Sequence, residues 1–353
     1  MTARIITTIG PNSSKPEILC KLRDSSLVDT FRLNLSHLNF ESLSKQVDHF
    51  KQHKIRPALD TQGAQLRVSH EYGNDLKVNS GDIICLDSDK SVVRNEKRLI
   101  PNHPEVLKQL EVGDELKIDF NGAVCRVMRV EEKNVLLETI NGGNILQNRA
   151  VDVTGKKLDL SPLTQFDIEA LKMTEQWGVE EVFLSFANHP SDVKYCRSLL
   201  PSGTKIISKI ESINGITNLR EIATSSDAIL IDRGDLSREV GIGRLPLLVQ
   251  SIISVSKECD TPVYVATNIL DTMIDSPLPS RAEVSDLYSL LDMGVDGIVL
   301  AAEVAIGKHP IESVQLVNFI RKLHSYEADG FAVLPDLITN LKQNISEPLR
   351  SWL

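Results

Sequence analysis

Between residues 205 and 235 the chain reads Lys205-Ile-Ile-Ser-Lys-Ile-Glu-Ser-Ile-Asn-Gly-Ile-Thr-Asn-Leu-Arg-Glu-Ile-Ala-Thr-Ser-Ser-Asp-Ala-Ile-Leu-Ile-Asp-Arg-Gly-Asp235. Two short apolar, β-branched runs, Lys205–Ile210 and Ala228–Ile231, flank a stretch of helical period, the succession that builds a parallel sheet through helical crossovers. Working outward, six more runs of the same kind appear: Ile5–Ile9, Thr30–Leu35, Arg56–Asp60, Glu181–Ala187, Pro262–Ala266 and Gly297–Ala301. All but the third of the eight pass soon into a helix-like segment, and eight such units predict an α/β fold, a closed (β/α)₈ TIM barrel. Helix signals agree. Thr164-Gln-Phe-Asp167 has the form of a capping box, Gly178 suits a C-terminal cap, and Pro310 to about Leu323 offers Val314, Leu316, Val317 and Ile320 to cover the sheet.

About 100 residues separate Asp60 from the helix near Thr164, far more than a connecting loop needs. Leu66–Ser69, Gly81–Leu86, Asp114–Phe120, Ala123–Val130 and Asn134–Ile140 read as short strands in that interval. Asn121-Gly122 and Asn141-Gly142-Gly143 read as hairpin turns between them. A small all-β domain inserted after strand three is expected, acting as a lid over the end of the barrel where such folds carry their active sites. The expected organisation is barrel over 1–63, inserted β-barrel lid over 64–158, barrel again over 159–325, and a short tail over 326–353 whose apolar stretch Phe331–Leu341 cannot make a further domain.

Composition narrows the function classes. A net charge of −9, with lysines and arginines dispersed, disfavours nucleic-acid or membrane-surface binding, so an anionic ligand needs a local basic pocket. The opening MTARIITTIG lacks the basic and long apolar regions of a signal peptide, and no run of 18 apolar residues occurs, which predicts a cytoplasmic protein. Cys20, Cys85, Cys125, Cys196 and Cys259 lie far apart without a C-x-x-C pair and are expected to be reduced thiols.

In a barrel of this type the chemistry sits at the C-terminal ends of the strands. Those positions hold Arg32 and Asn34, Asp60 and Thr61, Lys209 and Glu211, Asp235, Thr267, and Glu303. Glu211 and Asp235 would give two hard oxygen ligands to Mg²⁺ (or Mn²⁺), and Lys209, two residues before Glu211, points to the same side of its strand. Such a trio neutralises charge developing on an enolate or on a phosphoryl group in transit.

Seven motifs, in order, resemble the signatures of the pyruvate kinase family: Ala3-Arg-Ile-Ile-Thr-Thr-Ile-Gly-Pro11, Phe31-Arg-Leu-Asn-Leu-Ser-His37, Leu59-Asp-Thr-Gln-Gly63, Ile206-Ile-Ser-Lys-Ile-Glu211, Arg233-Gly-Asp-Leu236, Ala266-Thr267 and Ser280-Arg-Ala-Glu-Val-Ser-Asp286. The resemblance runs from about residue 3 to about residue 325. It implies transfer of a phosphoryl group from phosphoenolpyruvate to ADP through a Mg²⁺-stabilised enolate, giving pyruvate and ATP. It also implies Lys209 as the catalytic lysine, Thr267 beside the methylene carbon, and Arg32 holding the phosphoryl group. By the same carry-over Glu211 and Asp235 are the Mg²⁺ ligands, and Gly234, Asp235 and Thr267 line the substrate, where Asp232, a departure from the family pattern, joins them on a loop whose backbone faces the pyruvate part. Asn34, Ser36, Asp60 and Thr61 match a K⁺ site, while Arg67, His37, Asn34 and Arg149 match nucleotide contacts.

The sequence departs from the family pattern around the substrate. Asp232 stands where a small apolar residue is usual, Ser237 replaces a glycine, Gln62 a lysine, Ala64-Gln65 a Pro-Glu pair, and Ala301-Ala302-Glu303-Val304 a Ser-Gly-Glu-Thr run. These changes keep open other pyruvate-enolate chemistry, with a different phosphoryl acceptor or an aldolase or lyase step. A non-catalytic derivative is the third reading, disfavoured by the retained lysine and carboxylates. The family's C-terminal regulatory domain has no counterpart after residue 325, so loss of effector control and a homodimer through barrel faces are expected.

Overall fold

The computed structural model describes residues 3–72, 75–87, 97–119, 122–327 and 345–352. Two compact units divide the chain, one formed by 1–61 and 169–353 and the other by 62–168.

In the larger unit β1 (Arg4–Thr8), β2 (Thr30–Asn34) and β3 (Pro57–Asp60) lead into the smaller one. That unit carries β4 (Arg67–Ser69), β5 (Asp75–Val78), β6 (Ile83–Asp87), β7 (Lys97–Pro101), β8 (Glu115–Ile118), β9 (Ala123–Val130), β10 (Asn134–Asn141), β11 (Gly143–Leu146) and β12 (Arg149–Val153). The larger unit resumes with β13 (Glu181–Leu184), β14 (Lys205–Ile210), β15 (Ala228–Asp232), β16 (Val263–Ala266) and β17 (Gly297–Leu300). Its eight strands close in the order β1-β17-β16-β15-β14-β13-β3-β2, every neighbouring pair parallel. This is the (β/α)₈ barrel expected from the strand rhythm.

Inside the barrel Ile6, Ala58, Phe183, Ile207, Leu230, Tyr264, Ala266 and Val299 pack together with almost no exposure. The two ends differ in chemistry. At the N-terminal end Arg4 pairs with Glu181 at 2.9 Å and donates to the Tyr264 hydroxyl at 3.0 Å, while the Thr30 hydroxyl donates to Glu181 at 2.7 Å. Arg4 and Glu181 satisfy each other there, the arrangement of a structural plug rather than a reactive site. Outside, the helix Pro310–Glu327 buries Val314, Leu316, Val317 and Ile320. Thr164 and Asp167 form the reciprocal hydrogen bonds of a capping box, and Gly178 adopts a left-handed φ of 70° at a helix end.

The smaller unit is a second closed barrel, ordered β10-β6-β7-β4-β12-β8-β9, with β11 and β5 as a separate two-stranded sheet. The sequence reading missed β5, β7, β11 and β12 and took Asn141–Gly143 for a hairpin turn. Instead the chain leaves β10 and enters β11 across Gly142 alone, and β11 pairs with β5. The glycines are needed for close approach: a Cβ on Gly142 would lie 2.7 Å from the Val78 carbonyl oxygen, and one on Gly143 only 1.3 Å from that of Gly122. Asn121 and the stretch Phe331–Leu341 fall outside the described residues. Among the described residues no disulfide forms, and no helix is long and apolar enough to cross a membrane.

Candidate active site

Parallel register aligns the C-terminal strand ends, pairing Asn34 with Asp60, Asp60 with Phe183, Ile210 with Ile231 and Asp232 with Ala266. The charged residues closing these strands therefore share one end of the barrel. At its centre lies Lys209, buried, with Nζ 2.9 Å from Glu211, 3.3 Å from Asp232 and 3.4 Å from Asp60, and donating to the Ser185 hydroxyl at 3.2 Å. The period of two explains why Lys209 and Glu211 meet.

Burial lowers the affinity of Lys209 for its proton, but Asp60, Glu211 and Asp232 outweigh that and hold it above the ordinary lysine range. Burial pushes the Glu211 carboxyl up to about 8; Asp232 and Asp235 add to the rise, and Lys209 opposes it. For Asp232, burial is overcome by Lys209, by the hydrogen bond from Thr267 and by Arg32, leaving its carboxyl below the usual range.

Arg32 pairs through Nη1 with Asp60 at 3.0 Å and donates twice to the Thr8 hydroxyl, at 3.1 and 2.6 Å. Ser185 donates to Asp60 at 3.2 Å, and its amide donates to the Thr61 hydroxyl at 3.0 Å. Glu211 Oε2 accepts from the Phe186 amide at 2.7 Å, which leaves Oε1, buried and without a hydrogen bond, facing the Lys209 ammonium.

Asp235 lies in the first turn of the helix Arg233–Val240 and meets Arg238 at 3.1 Å. Carboxylate oxygens of Glu211, Asp232 and Asp235 lie within 4.8 Å of one another. Three hard oxygen donors, one of them buried with its free oxygen turned only to the Lys209 ammonium, suit a divalent cation such as Mg²⁺.

Thr267 follows β16 with φ of 72°, and Asn268 with φ of 55°, two consecutive non-glycine residues in the left-handed region. Neighbours hold them there. Arg233 donates to the carbonyls of Thr267 and Asn268 at 2.9 and 2.8 Å and pairs with Asp286 at 2.7 Å, while the Thr267 hydroxyl donates to Asp232 at 2.6 Å. A Cβ on Gly234 would fall 2.9 Å from Thr267 Cγ2, so glycine is required beside it.

Not every sequence candidate joins this cluster. Glu303 is buried and binds the amides of Leu270 and Ala301, which makes it a loop anchor. Asn34 accepts from the Ser36 amide at 2.9 Å at the start of a short 3₁₀ turn, Ser36 is buried, and His37 at the end of that turn is exposed. Arg67 and Arg149 belong to the smaller unit, where Arg67 donates to the Asn148 carbonyl at 3.0 Å and Arg149 pairs with Asp119 at 3.3 Å. Thr8, Ser185 and Arg233 escaped the sequence reading as contributors; Thr8 and Ser185 stand at strand ends, which was the available signal.

A parallel eight-stranded barrel with a buried lysine among acidic oxygens at its C-terminal end has the form of an enzyme of the (β/α)₈ class. The family model described as "Pyruvate kinase, barrel domain" matches residues 1–314, and the chain belongs to the pyruvate kinase family. A pyruvate kinase of Agrobacterium vitis is 33% identical over 328 residues, covering 90% of this chain and 67% of that one. One of Thermotoga maritima is 30% identical over 354 residues, covering 98% and 76%. The crystal structure of Cryptosporidium parvum pyruvate kinase superposes with a TM-score of 0.81 at 25% identity, over 98% of this chain and 74% of that one.

Proposed function

We propose that the chain transfers a phosphoryl group from phosphoenolpyruvate to ADP, giving pyruvate and ATP. The observation that carries this reading is the buried Lys209 ammonium set among Asp60, Glu211 and Asp232 in a chain whose relatives are pyruvate kinases. The bond between phosphorus and the enol oxygen breaks, a bond to a β-phosphate oxygen of ADP forms, and the enolate takes one proton at its methylene carbon. A divalent cation held by Glu211 and Asp235 supplies charge neutralisation for the phosphoryl and enolate oxygens.

The chain's own groups do the rest. Lys209 stays charged and accompanies the phosphoryl group, Arg32 holds it, and Thr267, with the Gly234 backbone beside it, faces the carbon that is protonated. Arg67, His37, Asn34 and Arg149 are assigned to the nucleotide, and Asn34, Ser36, Asp60 and Thr61 to K⁺. The inserted unit is assigned the role of lid, a homodimer is the proposed assembly and the cytoplasm its compartment. Carbon–carbon chemistry is not favoured by the relatives.

The test is pyruvate formation from phosphoenolpyruvate and ADP with Mg²⁺, with and without K⁺. Turnover within about 1–10³ s⁻¹ is expected, abolished by Lys209→Met. Activity retained in that variant overturns the assignment of Lys209, and failure of saturating ADP with Mg²⁺ to raise the melting temperature overturns the choice of acceptor.

A further inference from the structure

Asp232 has no place in the trio that the proposed reaction requires, yet it closes β15 at the centre of the charged cluster. Its Oδ1 accepts a hydrogen bond from the Thr267 hydroxyl at 2.6 Å, and its Oδ2 lies 3.3 Å from Lys209 Nζ. Its carboxylate falls within 4.8 Å of those of Glu211 and Asp235. Lys209 in turn is surrounded by acids, with Glu211 at 2.9 Å and Asp60 at 3.4 Å.

The balance of charge is decisive. Asp60, Glu211, Asp232 and Asp235 carry four negative charges once Glu211 is ionised, and Arg32, Lys209 and Arg238, which pairs with Asp235, carry three positive ones, so a phosphorylated carboxylic acid approaching this end meets a surplus of like charge. A divalent cation cancels that surplus.

We infer that Asp232 is a third carboxylate for the divalent cation and that, before the cation arrives, Lys209 serves as the counter-ion of Asp232, with Glu211 beside it. This inference rests on the proposed role of Glu211 and Asp235 as cation ligands. Cation affinity grows with the number of charged ligands, so three carboxylates hold the ion without help from substrate oxygens. Once it is bound, Glu211 and Asp232 no longer depend on Lys209, and the ammonium becomes available to the phosphoryl group. Binding is therefore ordered, cation first and anionic substrate second. The Thr267 hydroxyl, committed as a donor to Asp232 Oδ1, fixes that carboxylate so that Oδ2 is the oxygen left for the ion.

The test is direct Mn²⁺ binding to the full chain without substrate, read by electron paramagnetic resonance on free Mn²⁺. Asp232→Asn keeps an acceptor for Thr267 and replaces the oxygen left for the ion, with its charge, by an amide nitrogen; it is expected to weaken Mn²⁺ about tenfold or more, with its melting temperature checked alongside. An affinity within about twofold of wild type overturns the inference. If Glu211→Gln also leaves Mn²⁺ binding unchanged, the underlying reading of the cation site fails as well; if it alone abolishes binding, only the role of Asp232 fails.

A second measurement needs no variant. Calorimetry with phosphoenolpyruvate should give binding to the wild-type chain only after Mn²⁺ is added, and equal binding without the cation overturns the order.

Discussion

Glu211 is a residue whose protonation the site controls strongly. Its carboxyl normally titrates near 4.5, and burial pushes it up to about 8 despite the ammonium beside it. The folded chain therefore holds this proton more tightly than the unfolded one. The resulting contribution to stability is fully present below about pH 4.5 and is lost as pH rises towards about 8. Without a divalent cation, wild type should lose stability across that window relative to Glu211→Gln, which has no proton to lose. Urea denaturation of both proteins at several pH values measures this, and parallel pH profiles would contradict it. With Glu211 a cation ligand as proposed, the same proton competes with the cation. Below about pH 8 the affinity for Mn²⁺ should rise as pH rises, by up to tenfold for each unit, and level off above it. Calorimetry in buffers of different ionisation enthalpy should record proton release on binding at neutral pH; none would mean that Glu211 is already ionised.

At the scale of the element, the helix Gln165–Lys172 illustrates what a sequence can and cannot reveal. Its capping box is local, and Thr164-Gln-Phe-Asp167 was readable because both partners lie within one turn. Asp167 also accepts from the amides of Gln62 at 2.8 Å and Gly63 at 3.1 Å, a hundred residues upstream, and nothing in the local pattern announces that. Its carboxylate is buried, so Asp167→Ala leaves the amides of Gln62, Gly63 and Thr164 without their acceptor and should cost about 2–4 kcal/mol in urea denaturation. A loss below about 0.5 kcal/mol would mean that water replaces the side chain.

The barrel strands were legible for the same local reason, being apolar runs followed by helices. Those of the insert were less so. Asp75–Val78 and Lys97–Pro101 are short and interrupted by charge, and the break at Gly142 is set by the approach of Gly143 to Gly122 across the unit. In the site, Lys209, Glu211, Asp232 and Asp235 could be placed because the barrel sends strand ends to one side. Ser185 and Thr8 also stand at strand ends, but a hydroxyl there is not distinctive, and Arg233 shows its role only through the Thr267 and Asn268 carbonyls that the fold brings to it.

For the molecule as a whole, the relevant fact is that each unit has its own core. In the smaller unit Leu66, Val68, Ile84, Leu86, Leu137 and Val151 belong to one buried cluster, and in the barrel Ile6, Phe183, Leu230 and Val299 belong to another. A cavity made in one core weakens first the unit that contains it, because the cost arises where side chains lining the void no longer have atoms to pack against. Leu137, fully buried in β10, is a suitable site, and Leu137→Ala should cost the smaller unit about 2–5 kcal/mol. Both tryptophans, Trp177 and Trp352, belong to the larger unit, so tryptophan fluorescence follows that unit alone whereas far-ultraviolet circular dichroism follows both. In Leu137→Ala part of the dichroism signal should melt earlier, by roughly 10 °C, while the fluorescence midpoint stays at the wild-type value. If fluorescence and dichroism shift together, the two units unfold as one cooperative body. If they separate, an insert that can open without loosening the barrel meets the stability requirement for the lid proposed here.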